Sequence, residues 1–439
     1  MHPPRLWAFA LVVALVLPGA VAQQTERGPR IEQAVAQIEE ELIAIRRDIH
    51  EHPELSNREQ ETAKLVVERL KAIGVPAEDI RTGVAGHGVV ALIRGAKAAP
   101  VAAIRADMDA LPVTEETGLP FASTVRATYK DQEVGVMHAC GHDLNIAMLL
   151  GVAQVLQGMR EELPGSVKLI FQPCEEGAPP GEEGGAKVMV GEGVLEDPKP
   201  GAIFALHGYP DLDVGSLGTM PGGIFASVDR FRIRIIGQQT HAAYPWLGTD
   251  PIVTAAQAIL ALQTIHSRQL DTRQPSVVSV CIVQGGTRWN IIPDEVELVG
   301  TVRTHDETVR AAIRQKIEQT LQGVTAAAGA SYEMAEYAAY GPVTYNDPEL
   351  TGQVMATLRR VFGPDNVHEV ERSMGGEDYA YFAQEVPGCY FYVGVHKPGT
   401  PPTSPLHSPT YNPDEASIAV GVRAMANVVW DWLEGAEGG

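Results

Sequence analysis

The sequence lacks any block or stripe of basic residues: 34 Lys and Arg stand against 55 Asp and Glu, giving a formal net charge of −21. Nucleic acid is therefore not expected as a partner, because neutralising phosphates requires clustered cations. Cysteine is scarce, and the four present are too scattered for a disulfide-rich fold. Repeats and low-complexity tracts are absent. What is there is an ordinary globular composition over 439 residues, a length that suits two domains.

The N-terminus has the pattern of an export signal. Arg5 precedes an apolar run at 6–17, and Ala-Val-Ala at 20–22 follows as a small-x-small cleavage site. We expect a signal peptide over 1–22 and an exported, periplasmic or secreted mature protein. A retained membrane anchor is the alternative, but the run is short for a bilayer span. No later segment is long and apolar enough to cross a membrane, so no stable membrane insertion is expected after cleavage.

After residue 23, short apolar runs alternate with helical patterns. Strands are predicted over 101–105, 167–171, 203–206 and 389–395, and helices over 31–50, 59–73, 146–156, 349–362 and 414–433. Such alternation predicts an α/β fold with a mostly parallel, helix-covered sheet.

The middle of the chain has another order of elements, strand-helix-strand-strand-helix-strand. These elements are predicted over 228–236, 251–266, 277–283, 296–304, 309–324 and 331–338. This β-α-β-β-α-β order is the split ferredoxin-like unit. We therefore expect two domains: a main domain over 23–224 and 340–439, and an inserted lid domain over 225–339.

Residue types that bind metals gather around the ends of the predicted strands, where ligands bind in an open parallel sheet. Taken singly, each has an ordinary explanation, since a lone His is usually a hydrogen-bonded structural residue and adjacent glutamates are usually solvated. As a set, they favour a metal centre in the main domain. The residues are Asp107, Asp109, Cys140, His142, Glu175, Glu176, His207 and His407.

The mixture of ligand types indicates the chemistry. Thiolate, imidazole and carboxylate can hold divalent ions that polarise a carbonyl group and acidify water. Two ions about 3.5–4 Å apart can share one water, and a carboxylate that binds no metal must then accept the water's proton. Glu175 and Glu176 can divide these two roles. Thiolate and imidazole suit zinc while carboxylates also admit manganese, so the choice between Mn and Zn stays open.

These residues lie in motifs that resemble a family of metal-dependent amidohydrolases within the aminoacylase and carboxypeptidase superfamily. That family includes hippurate hydrolase, N-acyl-amino-acid hydrolases and the auxin-conjugate (indole-3-acetyl-amino acid) hydrolases. Besides the glutamate pair, the motifs are His-Glu-His-Pro-Glu-Leu at 50–55, Arg-Ala-Asp-Met-Asp-Ala-Leu-Pro at 105–112, Met-His-Ala-Cys-Gly-His-Asp at 137–143, Phe-Gln-Pro at 171–173 and Leu-His-Ser-Pro at 406–409. They are specific in combination and in order, and they cover nearly all of the mature chain.

The resemblance implies a two-metal enzyme that hydrolyses the amide bond of an N-acyl-amino acid, a small-molecule substrate. It assigns Glu175 as the general base, and Asp109 as the residue that orients a neighbouring ligand. The metal ligands that it implies are Cys140, His142, Glu176, His207 and His407.

For the inserted domain, the resemblance implies a role in dimerisation and in substrate binding. His241 would stabilise the oxyanion, often from a partner subunit. Asn290 and Arg303 would bind substrate oxygens, and an Arg fork suits a carboxylate. Each of these three residues also has a bland explanation, as a loop or surface residue. The expected assembly is a homodimer formed through the lid.

Three positions depart from the family's usual pattern. Asn145 replaces the last His of Cys-Gly-His-Asp-x-His, and Trp246 follows Pro245 where the family often has His. Both are expected to alter the rim of the pocket. Cys174 replaces an Ala before the glutamate pair, and we interpret it as a small buried residue.

Two alternatives stay open. A dipeptidase or carboxypeptidase of the same superfamily is the nearer one, although those branches usually have His-x-Asp where this chain has Asp-Met-Asp at 107–109. The other is an exported, two-lobed solute-binding protein, which would not need Glu175 beside five ligands. A catalytically inactive relative would be favoured by a missing ligand, and none is missing.

Overall fold

The structure is a computed structural model that describes the backbone of residues 18–437 and the side chains of residues 27–436. The predicted signal peptide, 1–22, lies outside the residues whose side chains are described. The helices within this part of the chain are α1 (Pro18–Glu51), α2 (Gln60–Ala72), α3 (His142–Gly158), α4 (Gly185–Gly191), α5 (Pro251–Leu262), α6 (Glu307–Ala328), α7 (Pro348–Phe362), α8 (Ala380–Glu385) and α9 (Ser417–Glu437). None of these helices is both long enough and apolar enough to cross a membrane.

The strands include all those predicted and several short ones besides. They are β1 (Ile80–Val84), β2 (Gly88–Ile93), β3 (Val101–Asp107), β4 (Arg126–Tyr129), β5 (Gln132–Gly135), β6 (Ser166–Gln172), β7 (Ala202–Asp213), β8 (Leu217–Thr219), β9 (Gly222–Phe225), β10 (Val228–Ile236), β11 (Thr240–His241), β12 (Ser276–Gly285), β13 (Ile291–Ile292), β14 (Glu295–Thr304), β15 (Ser331–Gly341), β16 (Thr344–Asn346), β17 (Val367–Glu369) and β18 (Gly388–His396).

Three of the helices begin at an aspartate that caps the first turn. Asp250, Asp306 and Asp347 accept hydrogen bonds from backbone N–H groups of α5, α6 and α7. Such caps satisfy amides that have no partner within the helix. In α5 and α7 a proline follows the aspartate, where its missing N–H costs nothing.

The large sheet has eight strands in the order β1-β2-β6-β3-β7-β18-β8-β17, and its four central strands, β6, β3, β7 and β18, run parallel. Every residue of β3 and β6 is buried because helices cover both faces. Alternate side chains of β3 enter opposite cores: Ala102 and Ile104 face α1, α3 and α9, while Ala103 faces α4 and α8. The predicted helix-covered, mostly parallel sheet is confirmed.

The inserted unit is a four-stranded antiparallel sheet, ordered β12-β14-β10-β15, with α5 and α6 packed on one face. Phe231, Ile233 and Ile235 alternate along β10 and form its core with the two helices. The predicted β-α-β-β-α-β order is confirmed. Strand β15 continues to Gly341, two residues beyond the predicted end of the lid, because its pairing with β10 extends to Val228.

The two chain segments that join the lid to the main domain pair with each other. Strand β9 precedes the lid and β16 follows it, and the two form an antiparallel ladder in which Thr344 is opposite Phe225. Arg303, near the end of β14, therefore lines the same cavity as Glu175, which follows β6, and His207 of β7.

Candidate active site

The main sheet and its loops bring the predicted metal ligands together. β3 and β6 end at Asp107 and Gln172, so the segments carrying Asp109 and Glu175 leave the sheet side by side. His207 lies within β7, which continues to Asp213, so the prediction that this strand ends at residue 206 is wrong. Pairing with β18 sustains the strand beyond that point.

Cys140 and His142 flank Gly141 in a tight turn before α3. Gly141 has a φ of +93°, in the left-handed region, and a Cβ there would lie 3.2 Å from the Tyr411 hydroxyl oxygen. Only glycine meets both demands without strain. His407 lies in a loop far along the chain. Its backbone N–H donates to the backbone carbonyl of Ala139, 2.8 Å away.

The donor atoms of the predicted ligands are close neighbours. Sγ of Cys140 lies 3.5 Å from Nε2 of His207, and Nε2 of His407 lies 3.2 Å from Oε1 of Glu176. One group of ligand atoms within 4.8 Å of one another comprises Cys140, His142 and His207, and a second comprises Cys140, Glu176 and His407. Cys140 is common to both, so five residues from four separate segments form one compact donor set.

Two of the histidines present the same ring nitrogen to this set. Nδ1 of His142 donates to the backbone carbonyl of Asp109, and Nδ1 of His207 donates to that of Gly208, each at 2.8 Å. Because a carbonyl only accepts, Nδ1 carries a proton in both rings, and in the neutral form each Nε2 keeps a free lone pair for a metal ion. Fixing the second nitrogen in this way is how metal-binding histidines are oriented.

Asp109 holds the turn that carries the two glutamates. Its Oδ1 accepts the N–H of Glu175 and its Oδ2 accepts the N–H of Glu176, both at 3.0 Å. The Ser56 hydroxyl also donates to Oδ2, at 2.7 Å. Burial would raise the pKa of Asp109, but the nearby His142 ring, the Ser56 hydroxyl and the backbone N–H groups outweigh it, so the pKa is lowered and the carboxylate stays charged.

Glu175 lies in a strongly acidic environment. Burial, followed by the charges of Glu377 and Glu176, raises its pKa well above the usual value, while Arg105 opposes this shift. Burial and the carboxylates of Glu176 and Glu175 likewise raise the pKa of the Cys140 thiol. A divalent cation has the opposite effect on neighbouring acids, so this donor set suits a cation.

Sequence reasoning missed a buried cluster behind Glu175. The fully buried guanidinium of Arg105 donates to Asp107 at 2.7 Å, to Glu377 at 2.9 Å and to Asp378 at 3.1 Å. Glu377 also accepts from the Tyr390 hydroxyl at 3.0 Å. The only signal in the sequence is Gly-Gly-Glu-Asp at 375–378, a pair of glycines before a pair of acids.

Two of the unusual positions do not behave as expected. Asn145 is fully buried, and its amide donates to Asp107 at 2.8 Å, so the prediction that it alters the pocket rim is wrong. Helical geometry turns it toward β3 instead of the cavity. Trp246 is 73% exposed and lies away from this chain's cavity. Cys174 is buried, as expected, with a φ of +61°.

A cavity of about 600 Å³ opens over the donor set. One wall is aromatic, with Tyr209 and Tyr392 rings 4.4 Å apart and Phe225 set edge-on to Tyr392. Arg303 also lines the cavity, and within the described residues no carboxylate forms an ion pair with it. An unpaired, half-buried guanidinium facing a cavity is suited to binding an anionic group.

The structure does not bring the other two predicted residues to this cavity. His241 is exposed on the short ladder that β11 forms with β13, where Nδ1 accepts the N–H of Ala243 at 3.0 Å. Asn290 lies beside it, and its carbonyl accepts the N–H of Ala242. Neither residue is among those lining the cavity of its own chain.

Comparisons with known proteins place the chain among metal-dependent hydrolases. The family described as peptidase family M20/M25/M40 matches residues 103–431. The chain is 41% identical to the N-acetylcysteine deacetylase of Bacillus subtilis over 398 residues, which is 90% of this chain and 97% of that protein. It is also 41% identical to the N-acyl-L-amino acid amidohydrolase of Geobacillus stearothermophilus, covering 76% and 87% of the two chains.

Two further similarities extend this comparison. The thermostable carboxypeptidase 1 of Saccharolobus solfataricus is 38% identical over 90% of this chain and 96% of its own length. A crystal structure of a dinuclear metal-binding peptidase from Bacillus subtilis superposes with a TM-score of 0.77 at 37% identity, covering 91% of this chain and 99% of that one. The two-domain architecture is therefore shared with a protein that binds two metals.

Proposed function

Because the chain belongs to the peptidase family M20/M25/M40, we propose that it is a metal-dependent amidohydrolase of N-acyl-amino acids. It cleaves the amide bond and releases a carboxylic acid and an amino acid. The observation that carries this proposal is one cavity lined by Glu175, the unpaired Arg303 and four of the five donor residues, with the ligand atom of His142 within 4.8 Å of those of Cys140 and His207. Membership of a hydrolase family also argues against the solute-binding alternative.

The donor set fits two divalent ions, Mn or Zn. Cys140 lies in both groups of ligand atoms, so Cys140, His142 and His207 would hold one ion and Cys140, Glu176 and His407 would hold the other. When bound, such ions supply Lewis acidity to a carbonyl oxygen and to water.

Glu175 is the group that moves the proton. It lies beside the donor set and is partly buried in the lining of the cavity, and burial together with the neighbouring carboxylates raises its pKa. A carboxylate in this position accepts a proton from the attacking water and then delivers it to the departing nitrogen. Asp109 keeps the base in place by accepting the N–H of Glu175.

Arg303 and the aromatic wall divide the substrate between them. The guanidinium binds the carboxylate of the amino acid, because a planar fork matches two carboxylate oxygens. It lies close to Gly376, where a Cβ would be 3.5 Å from Nη1 of Arg303. The rings of Tyr209, Phe225 and Tyr392 form an apolar part of the cavity lining and suit an apolar acyl group.

The active assembly is proposed to be a homodimer formed through the lid. His241 and Asn290 lie together but away from their own cavity, as expected if they serve the site of a partner. Large apolar side chains on the same side of the lid are exposed, and a surface of this kind is typical of a protein interface. They include Tyr244, Trp246, Leu247, Ile252 and Val253.

Export is part of the proposal. An Ala-Val-Ala site after an apolar run predicts that the mature chain begins at Gln23. N-terminal sequencing of the protein recovered from the periplasm or the medium of a producing cell tests this. A chain that keeps residues 1–22 and stays with the membrane fraction would favour the anchored alternative.

A substrate panel tests the reaction itself. The metal-loaded enzyme is assayed with N-acetyl, N-benzoyl and indole-3-acetyl amino acids, and with dipeptides and longer peptides. Hydrolysis of the N-acyl-amino acids, strongest with aromatic acyl groups, supports the proposal. Cleavage of peptides alone would support the carboxypeptidase or dipeptidase alternative, which the similarity to a thermostable carboxypeptidase favours and whose substrates present the same carboxylate to Arg303.

A further inference from the structure

The turn that carries Glu175 is held by three successive backbone N–H groups. Those of Glu175 and Glu176 donate to Asp109, and the N–H before them, that of Cys174, donates to Oε1 of Glu59 at 2.8 Å. Glu59 is completely buried and comes from the start of α2, 115 residues away in sequence. Two buried carboxylates from different segments therefore fix one tight turn.

Glu59 does not have the role that its position in the chain suggests. It is the N-cap residue of α2, where an acidic side chain would normally accept the first free amides of its own helix. Its side chain makes no such bond. Glu54 caps the helix instead, accepting the N–H groups of Glu61 and Thr62 at 3.1 and 2.8 Å.

The residues just before Glu59 support both carboxylates that hold the turn, those of Asp109 and Glu59. Ser56 donates to Asp109, and the N–H of Asn57 donates to the same Glu59 oxygen that accepts from Cys174, at 3.0 Å. Oε2 of Glu59 is buried and has no hydrogen-bond partner among the residues that the structure describes. One oxygen of Glu59 therefore accepts two amide hydrogen bonds while the other accepts none. Glu59 contributes to the site through the first oxygen alone.

Cys174 needs such a contact. Its φ of +61° is in the left-handed region, which a residue with a Cβ adopts only when its surroundings hold it there. Releasing the Cys174 amide would let the turn relax toward an ordinary conformation. Glu175 is the next residue, so its backbone would be held from one side only, by the bond between its own N–H and Asp109, and its side chain would shift.

We propose that Glu59 is a positioning residue for the hydrolytic reaction: by accepting the Cys174 amide, it holds Glu175 at the distance from which it can move a proton. This inference rests on the proposed function, in which Glu175 is the general base. Burial, and then the charge of Asp109, raise the pKa of Glu59 to about 8, so at neutral pH it is mainly the neutral acid. Glutamine is then its nearest isostere.

The experiment compares Glu59→Gln with Glu59→Leu in the metal-loaded enzyme, with Glu54→Leu as the matched control. Glu59→Leu should lower kcat roughly 10- to 100-fold, because a small displacement of a catalytic group has an effect of that order. KM and metal content should stay close to those of the unchanged enzyme. Glu59→Gln, which can still accept both amides, should restore kcat to within a few-fold. Glu54→Leu should lower Tm and leave kcat unchanged.

Hydrogen exchange gives a second measurement that needs no substrate. In Glu59→Leu, the amides of Cys174 and Glu175 should exchange faster, whereas in Glu54→Leu the faster exchange should be confined to the first turn of α2. If Glu59→Leu does not fold, Glu59→Asp replaces it, since shortening the side chain by one methylene also breaks the bond to Cys174. The same loss of kcat is expected.

Several results would overturn the inference. These are an unchanged kcat in Glu59→Leu, a loss of activity that follows loss of metal, and a Glu59→Gln variant as impaired as Glu59→Leu. If the unchanged enzyme hydrolysed no N-acyl-amino acid, the proposed function would fail. The exchange experiment would still decide whether Glu59 holds the turn.

Discussion

His50 lies 2.9 Å from Asp143, Nδ1 to Oδ2, with both side chains fully buried beneath the turn that carries Cys140 and His142. The other ring nitrogen lies 3.1 Å from Oε1 of Glu115. Carboxylates at both nitrogens favour the imidazolium form, in which both nitrogens donate, although Arg46 also lies 3.3 Å from Nδ1 and pairs with Asp143. Burial alone lowers the pKa of His50, but the bonds to Asp143 and Glu115 outweigh it and raise the pKa above its usual value.

A pH-dependent stability follows from this pair. Because the pKa of His50 is higher in the folded than in the unfolded chain, its stabilisation is complete below about pH 6.5 and is lost as pH rises through the folded-state pKa. Replacing His50 with Gln should therefore lower the free energy of unfolding by roughly 1–3 kcal/mol at about pH 6, and by less at about pH 9. Thermal unfolding of the metal-loaded protein at both pH values measures the difference.

His52→Gln, at an exposed position two residues on, is the control and should change the free energy of unfolding little. A loss of stability in His50→Gln that grows with pH would contradict the assignment.

Glu175→Gln should separate proton transfer from metal binding. Glutamine has nearly the same shape, so the donor set of Cys140, His142, Glu176, His207 and His407 stays intact. It cannot accept the water's proton, and turnover should fall about 10²–10⁴-fold. Elemental analysis should find the same metal content as in the unchanged enzyme. Glu183→Gln, at an exposed position nearby, should retain full activity, and near-normal turnover in Glu175→Gln would exclude Glu175 as the base.

Much of the fold could be predicted because burial and local order coincide in this chain. Strands β3 and β6 are buried over their whole length, so they stand out as apolar runs. The alternation of Phe231, Ile233 and Ile235 reveals a strand with one face on a core. Where burial does not follow the pattern, prediction failed: the second half of β7, after His207, is partly exposed and lacks an apolar run.

The site could be predicted only as far as motifs carry chemistry. The donor residues are recognisable types at characteristic positions, so their convergence could be predicted. Arg105 pairs with Glu377 across 272 residues, and no local pattern records such a contact. The direction of a side chain is equally hidden, which is why Asn145 was assigned to the pocket rim although it faces Asp107.

Removing one donor should remove metal as well as activity. His407→Ala leaves Glu176 without its neighbour at 3.2 Å and opens the second group of ligand atoms. We expect elemental analysis to find up to two ions per chain in the unchanged enzyme and fewer in the variant, because losing a ligand weakens the site directly. A chelator should abolish hydrolysis in the unchanged enzyme. His368→Ala, at an exposed position of β17, is the control, and full metal content in His407→Ala would remove His407 from the ligand set.

Arg303→Met should weaken substrate binding more than it slows the chemical step. The guanidinium is expected to bind a carboxylate that is present in both the ground state and the transition state, so KM should rise while kcat changes little. A charge-assisted bidentate contact corresponds to an increase of roughly 10- to 100-fold. The corresponding N-acyl-amino acid amide, which has no carboxylate, should be hydrolysed equally by both proteins.

Arg232→Met, on the open face of the lid sheet, serves as the control. If the amide substrate also lost affinity in Arg303→Met, the guanidinium would have another role.

His241 offers a test of the proposed dimer, because it lies on the lid of its own chain and away from its own cavity. Glu175→Gln and His241→Ala should each be nearly inactive alone. In a mixed dimer, one site combines the intact Glu175 of one chain with the intact His241 of the other. Random mixing makes half of the dimers mixed, each with one intact site in two, so about a quarter of full activity should return. The experiment unfolds and refolds the two variants together and then measures kcat. If His241 acted within its own chain, each site would keep one defect and mixing would restore no activity.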